Sequence, residues 1–574
     1  LTVNSDGGVI TIDSIAGDTA ETVTINANVV TVGLANTANE KVVLGDVGDT
    51  AHAQINTVTV TGNDGITLQG AIYTDGSAGA ATVTFNDPVI IDGAVIIDTD
   101  DSANDGNIVF TTSIEGRGNG GTESLTLEGG TGTITMQPIG ATTAIGNLTI
   151  NSQTSGTAAI SIPNIGSGTV DATTVGAGVV AIGNTSGGIV TLSGTTYKTS
   201  GSLTITAENG TDASDKEIVF SGASPIISTS GDAVSLNGGE IDIQNGTLTI
   251  NTNINNAATD GGAITIAKTV YGNSDETLTL DAHATGAGTI SVGPIGASTS
   301  QITAINMTAA GGITLNGDIK TSDAGGGIDF NSGVIIADGK TITITTDAGT
   351  TDSAVVFDSS ISGDNSSVAA ENLVIDSGEG NVTITGNIGA TTATAIASLT
   401  INTTDGGTKD GDITISGNIG ASSGGSVTAV GTTGTVTIGN ANTRLLTLGG
   451  DVYNTNAATY EAADGSNSIS LTGTAPVFTT SDDAISFVKG HLLLADGADL
   501  TVNSTSGPIS IAGDITGTSD EAVTLNAGTA DSGNATVTLG IVAAEIDALT
   551  ITGNDGVTLN GNITTSNDSC RHRI

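Results

Sequence analysis

The sequence predicts an all-β chain wound into a β-solenoid, a right-handed parallel β-helix with about 20–25 residues per coil. Apolar triplets such as Ile264-Thr265-Ile266, Leu278-Thr279-Leu280, Ile313-Thr314-Leu315 and Ile342-Thr343-Ile344 place two aliphatic side chains on one face and a threonine on the other. That is the period-two signature of a half-buried strand. Glycine, asparagine and aspartate cluster between the triplets, as in Gly553-Asn554-Asp555-Gly556, and these residues tolerate the backbone of a sharp corner. The chain also repeats itself. VTVTGNDGITLQGAIYT from Val58 returns as INMTAAGGITLNGDIKT from Ile305 and as LTITGNDGVTLNGNITT from Leu549, with starts 247 and 244 residues apart.

Strands of this length recur every ~10–15 residues. A sandwich built from them would need Asn-Gly hairpin turns at regular spacing, and such turns are not the rule here. Two or three strands per coil, stacked ~4.8 Å apart, solve the problem by merging the aliphatic residues into one inner column. Ile66, Leu68, Ile313 and Leu315 are then expected to point inward, with Thr67 and Thr314 outward. A narrow bore accepts Ile, Val, Leu and Ala layers more readily than rings, which agrees with 2% aromatic residues and no tryptophan. The chain length predicts about 25 coils.

In chain order, LTVNSDGGVITIDS from Leu1 matches segments starting at Leu248 and Leu500. The chain therefore divides into long repeats at 1–247 and 248–499 and a partial repeat at 500–574. Further landmarks keep this phase: Phe85 to Ile91 matches Phe330 to Ile336, and Pro225 with TSGDAVSL after it matches Pro476 with TSDDAISF. A smaller cassette, PIGATTAIGNLTIN from Pro138, recurs from Pro294 and Asn387. The Leu-Thr-Ile-Asn and Gly-x-Ile-Thr-Leu-x-Gly-x-Ile units resemble the repeats of bacterial filamentous-haemagglutinin-like exoproteins, large β-helical surface adhesins. The resemblance implies a secreted, extracellular, cell-surface protein without catalysis: a scaffold, adhesin stalk or filament. Surface polysaccharide or matrix would be its partner, and association through ends or sides is expected. Leu1 opens directly on a repeat strand, and the register gives way at Ser569 to Ile574. The expectation is a segment of a longer repetitive surface protein.

Composition excludes several classes. Fifty-nine acidic residues against 12 basic ones give a net charge of −47, which repels nucleic acid and anionic membranes. There is no run of ~18 apolar residues to span a bilayer and no leader before Leu1, so neither a membrane-spanning segment nor a retained signal peptide is expected. One cysteine, Cys570, excludes an intrachain disulfide framework, leaving packing and strand ladders to stabilise the fold.

Candidate sites are sparse. A carbohydrate-active β-helix enzyme, the alternative reading, would gather Asp, Arg, Lys or His on one face. Here Arg117, Arg444, Arg571 and Arg573 and His52, His283, His491 and His572 are scattered along the chain, so no catalytic, cofactor-binding or metal residue is assigned. No cofactor is expected. The one opening for a structural calcium ion is the acidic run Asp98-Thr99-Asp100-Asp101, because calcium takes oxygen ligands. Cys570 with His572 is too poor a ligand set for zinc. Ice binding would require Thr-x-Thr ranks in successive coils, and variable coil length argues against them. Asn4, Asn151, Asn251, Asn402 and Asn503 each follow a strand and read as ladder residues that satisfy backbone groups. Asn147 and Asn381 begin Asn-x-Thr triplets, which are glycosylation acceptors in a host that modifies them.

Overall fold

A computed structural model of the chain describes residues 1–5, 8–17, 21–27, 41–49, 55–74, 82–100, 105–118, 122–151, 159–167, 175–184, 188–207, 216–253, 261–273, 275–297, 301–322, 326–347, 352–364, 371–391, 394–403, 411–423, 426–429, 434–465, 468–480, 482–528, 535–543 and 545–566. They form two compact units, Leu1–Ser291 and Val292–Ile574. Both are β-solenoids of parallel strands, as the sequence predicts. A repeat boundary does not break the stack. Thr247–Asn251 lies between Ile226–Ser228 and Thr277–Asp281, and Leu500–Ser504 lies between Val477–Thr480 and Glu521–Ala527.

One coil of the first unit shows how sequence becomes fold. Thr82–Phe85, Val89–Ile91 and Ala94–Asp98 form its three sides before the chain returns to Ile108–Phe110 directly above the first. Each side exists because alternate residues are aliphatic or aromatic. Val83, Phe85, Val89, Ile91, Val95 and Ile97 are all buried, and burial of each such side chain stabilises the coil by about 1.5–3 kcal/mol. The second unit repeats the plan with Ile328–Phe330, Val334–Ile336 and Thr341–Thr345, then Val355–Phe357. Ile313, Leu315, Ile66 and Leu68 point inward and Thr314 and Thr67 outward, as expected.

Coils are longer and more variable than expected, averaging about 26 residues. One coil of the first unit takes 22 residues, from Val3 to Ile25, and another takes 35, from Val23 to Val58. In the second unit the step is 20 from Val537 to Val557 and 37 from Leu399 to Val436. The chain makes about 17 turns rather than the 25 coils expected, with one side eleven strands deep in the first unit and another ten deep in the second. Buried threonine hydroxyls bind backbone carbonyls seven to ten residues further along. Thr99 Oγ1 donates to Gly106 O at 2.8 Å, Thr252 Oγ1 to Gly262 O at 2.8 Å, and Thr346 Oγ1 to Ser353 O at 2.6 Å. Between successive coils the pairing is parallel. Among the described residues, antiparallel pairing is confined to the hairpin of Ala421–Ser423 with Ser426–Ala429 and a bridge between Ser230 and Asn253.

The bore does accept rings, which corrects one expectation. All seven phenylalanines are buried, together with Tyr197, Tyr453 and Tyr460. Most enter where register places ring above ring, whereas Phe220 lies between Leu192 and Ile243 and Tyr197 between Ile165 and Ile227. Phe85 stacks on Phe110 at 5.0 Å, Phe330 on Phe357 at 4.8 Å, Tyr453 on Phe478 at 4.3 Å and Tyr460 on Phe487 at 5.0 Å. A ring that would leave voids beside aliphatic layers packs fully against another ring one coil away.

Candidate functional site

The surface chemistry of both units begins at the corners, where a recurring tripeptide of glycine, then asparagine or aspartate, then an aliphatic residue starts a side. In the second unit Gly386-Asn387-Ile388, Gly417-Asn418-Ile419 and Gly450-Asp451-Val452 occupy successive coils. Asn387 Oδ1 accepts the Asn418 N–H at 2.8 Å. Asn418 Oδ1 accepts the N–H groups of Asp451 and Val452 at 2.9 and 3.0 Å, and Asp451 Oδ1 accepts the Ala475 N–H at 3.0 Å. The corner carbonyl already accepts from the coil below, as Asn387 O does from Ile361 N–H and Asn418 O from Ile388 N–H, so the side chain supplies the acceptor for the coil above. Glycine is required beside it by close approach. A Cβ on Gly417 would overlap the carbonyl of Gly386, and one on Gly450 the carbonyl of Gly417.

The first unit uses the same device at Asn164, whose Oδ1 accepts from Thr195 and Thr196, and at Asp46, which accepts from Ala71. Asn147 and Asn381, the Asn-x-Thr positions, accept from Val179 and Asp412. The asparagines that follow strands sit differently. Asn4 and Asn503 are paired in register with Asn26 and Asn526, but Asn251 faces Asp281, Asn402 faces Asp376 and Asn151 faces Glu128. The amide ladder therefore runs before the strands more than after them. Part of the acidity has the same use, since corner aspartates hold backbone donors.

Several cations form coil-to-coil pairs. Arg117 pairs with Asp92, and Arg444 makes a two-pronged contact with Asp412 at 2.7 and 2.6 Å. His491 Nδ1 lies 3.0 Å from Asp514, and Lys489 lies 3.5 Å from Asp464. Each pair spans one coil on an exposed face, where ion pairs contribute little. His283 occupies a turn in the left-handed region, φ 74°, with its N–H held by Asp281. Within each unit they sit in separate contacts, Arg117 and His283 in the first and Arg444 and His491 in the second. His52, Asp101, Cys570, Arg571, His572 and Arg573 lie outside the described residues.

In the acidic run, Asp98 Oδ1 accepts the Asp100 N–H at 2.9 Å. A second acidic group joins Asp496, Asp520 and Glu521, whose carboxylate oxygens lie within 4.8 Å of one another. Glu521 is buried. It accepts from the Thr518 N–H at 2.9 Å, the Thr518 hydroxyl at 2.7 Å and the Ser519 N–H at 3.0 Å. Burial favours the protonated acid, but these donors together outweigh it and hold the carboxyl below its ordinary range. Glutamates in the same place, two residues before the first inward aliphatic, are buried at Glu123, Glu276 and Glu371. Glu276 Oε2 likewise accepts from Asn273 and Asp275. Sequence reading missed this position, although Glu-x-Leu/Val-x-Leu/Ile is visible six times, at Glu21, Glu40, Glu123, Glu276, Glu371 and Glu521.

Thr-x-Thr ranks, expected to be absent, do occur over three coils. Thr22 and Thr24 lie beneath Thr57 and Thr59, and these beneath Thr82 and Thr84. The rank ends at Val109. With geometry in hand, comparison with known proteins adds nothing further: no protein family, curated protein or solved structure matches this chain.

Proposed function

We infer that the chain is a non-enzymatic structural scaffold, the stalk of an extracellular, cell-surface adhesin or filament. The observation that supports this reading is the corner and core pattern itself. The inward triplet and the glycine-Asn/Asp corner recur coil after coil, each satisfied by its neighbour. In such a stack stability is approximately the sum of nearest-neighbour terms, so the residues are committed to extension and rigidity. The charged pairs each join one cation to one aspartate of a neighbouring coil, unlike the converging acids and bases of a polysaccharide-cleaving site. Surface polysaccharide is the partner class that suits an acidic, threonine-rich exterior without competing for nucleic acid.

The test combines two measurements. Antibody raised against the chain should label intact producing cells, and incubation with a panel of acidic and neutral polysaccharides should release no product. Turnover abolished by a single Asp substitution would replace the scaffold reading with a carbohydrate-active enzyme.

A further inference from the structure

We propose that the threonine ranks of the first unit form an ice-binding face, a site for solid water rather than for a polymer or an ion. The face is the outward side of Glu21–Asn26, Ile55–Thr61 and Thr82–Phe85, which pair in successive coils. Its central column is Thr24, Thr59 and Thr84, and the column beside it is Thr22, Thr57 and Thr82. Asn26 and Thr61 extend the first two ranks on the other flank, and Asn86 Nδ2 donates to Thr61 Oγ1 at 3.0 Å. None of these side chains is buried. Behind them Val23, Ile25, Val58, Val60, Val83 and Phe85 are fully buried and fix the plane. The long step from Val23 to Val58 lies inside this face, yet Thr22, Thr24 and Asn26 stay opposite Thr57, Thr59 and Thr61, so variable coil length does not dissolve the ranks.

The repeat in two directions points to a lattice. Coils stand ~4.8 Å apart and alternate residues of a strand about 6.6 Å apart, and a β-branched side chain has little freedom at χ1. The hydroxyl and methyl groups therefore form a fixed net. Its two spacings lie close to the oxygen repeats on a prism face of hexagonal ice, so every rank can meet that lattice at once. Each contact is weak, and the array gains its strength from contacts made together.

Charge points the same way. The chain carries 59 acidic residues, yet the central column continues from Thr84 through Val109, Thr135, Ser161, Thr191 and Val219 before it meets its first carboxylate, Asp242. Val109 has the shape of a threonine, so it interrupts the row of hydroxyls but not the row of methyls. A face without carboxylates has no ligands for a metal ion or a calcium mineral and no attraction for a cationic polymer. These columns also hold no aromatic ring for a sugar to stack on. The occupant that suits a neutral, flat and doubly periodic surface is ice, which is itself uncharged and periodic on nearly the same net. A stalk, a filament or a free chain could each carry this face, so it stands apart from the scaffold reading.

The experiment partitions the full chain between ice and liquid while an ice sphere grows slowly through a dilute solution, with the shape of growing crystals followed alongside. The native chain should be enriched in the ice and should facet the crystals. Thr59→Tyr raises a ring at the centre of the net and should lower the enrichment by about tenfold or more, because the ranks then lose the lattice together. Thr84→Tyr should do the same one coil on. Thr204→Tyr, at an outward position on another side of the same unit, should enter ice like the native chain. Hydrogen-exchange protection of Val58 and Val60 serves as the control of folding in each variant. The proposal is overturned if ice excludes the native chain, if folded Thr59→Tyr and Thr84→Tyr enter ice as well as the native chain does, or if Thr204→Tyr loses as much as they do. Retention of the native chain on an insoluble neutral polysaccharide, lost in Thr59→Tyr and without enrichment in ice, would assign the face to a sugar polymer and overturn the proposal as well.

Discussion

Asn418→Ala removes one side chain and should loosen one corner by a predictable amount. Its Oδ1 accepts two backbone N–H groups of the next coil, Asp451 at 2.9 Å and Val452 at 3.0 Å. Each net hydrogen bond is worth about 0.5–1.5 kcal/mol, and water can partly replace the lost acceptor at a half-buried corner, so the expected cost is about 1–2 kcal/mol. That corresponds to roughly tenfold faster opening. Global unfolding of a two-unit solenoid need not be two-state, so the informative assay is native-state hydrogen exchange at those two amides. Asn418→Asp keeps the acceptor and should leave both amides protected near neutral pH. Unchanged exchange at Asp451 and Val452 in the alanine variant, or equal loosening in both variants, would refute the corner-ladder account.

Other expectations follow from single environments. Leu315→Asp places an unpaired carboxylate in the apolar column between buried neighbours such as Ile313 and Ile336; it should cost several kcal/mol, and a full-length variant with unchanged melting would contradict this. Tyr460 is fully buried with its hydroxyl unpartnered among Phe478 and Phe487, an environment that pushes the phenol well above its ordinary range by desolvation. Tyr460→Phe should therefore stabilise the chain by about 1 kcal/mol, and a lower urea midpoint would count against it. Glu521 is held below its ordinary carboxyl range, so its stabilisation is present above that range and lost as pH falls through it. The difference in urea midpoint between the native chain and Glu521→Gln should shrink on acidification; a constant difference would contradict the assigned role.

Much of this was legible in the residues. Period-two alternation placed Ile313 and Leu315 inside and Thr314 outside without ambiguity, because a one-residue slip would invert every side chain. Coil length was less legible, since the strands stay in register whatever number of residues lies between them, 20 from Val537 to Val557 and 37 from Leu399 to Val436. The aromatic stacks were missed for a related reason: Phe85 and Phe110 are 25 residues apart, and only the register shows that one covers the other. Sequence reading gave the ladder role to asparagines after strands, whereas the backbone donors needing help are at the corners before them. The recurring Gly-Asn/Asp-Ile/Val tripeptide carried that signal. Among the described residues each arginine meets a single aspartate of a neighbouring coil, Arg117 with Asp92 and Arg444 with Asp412.

Parallel stacking in this register can be measured directly with paired spin labels. In a Cys570→Ser background, labels at Thr414 and Thr447, outward positions paired across successive coils, should lie near the ~4.8 Å strand spacing and broaden the spectrum strongly. Labels at Thr414 and Ser470, two coils apart through Thr447, should lie near twice that distance and broaden it less. Equal spectra from the two pairs, or no dipolar broadening between Thr414 and Thr447, would contradict the solenoid.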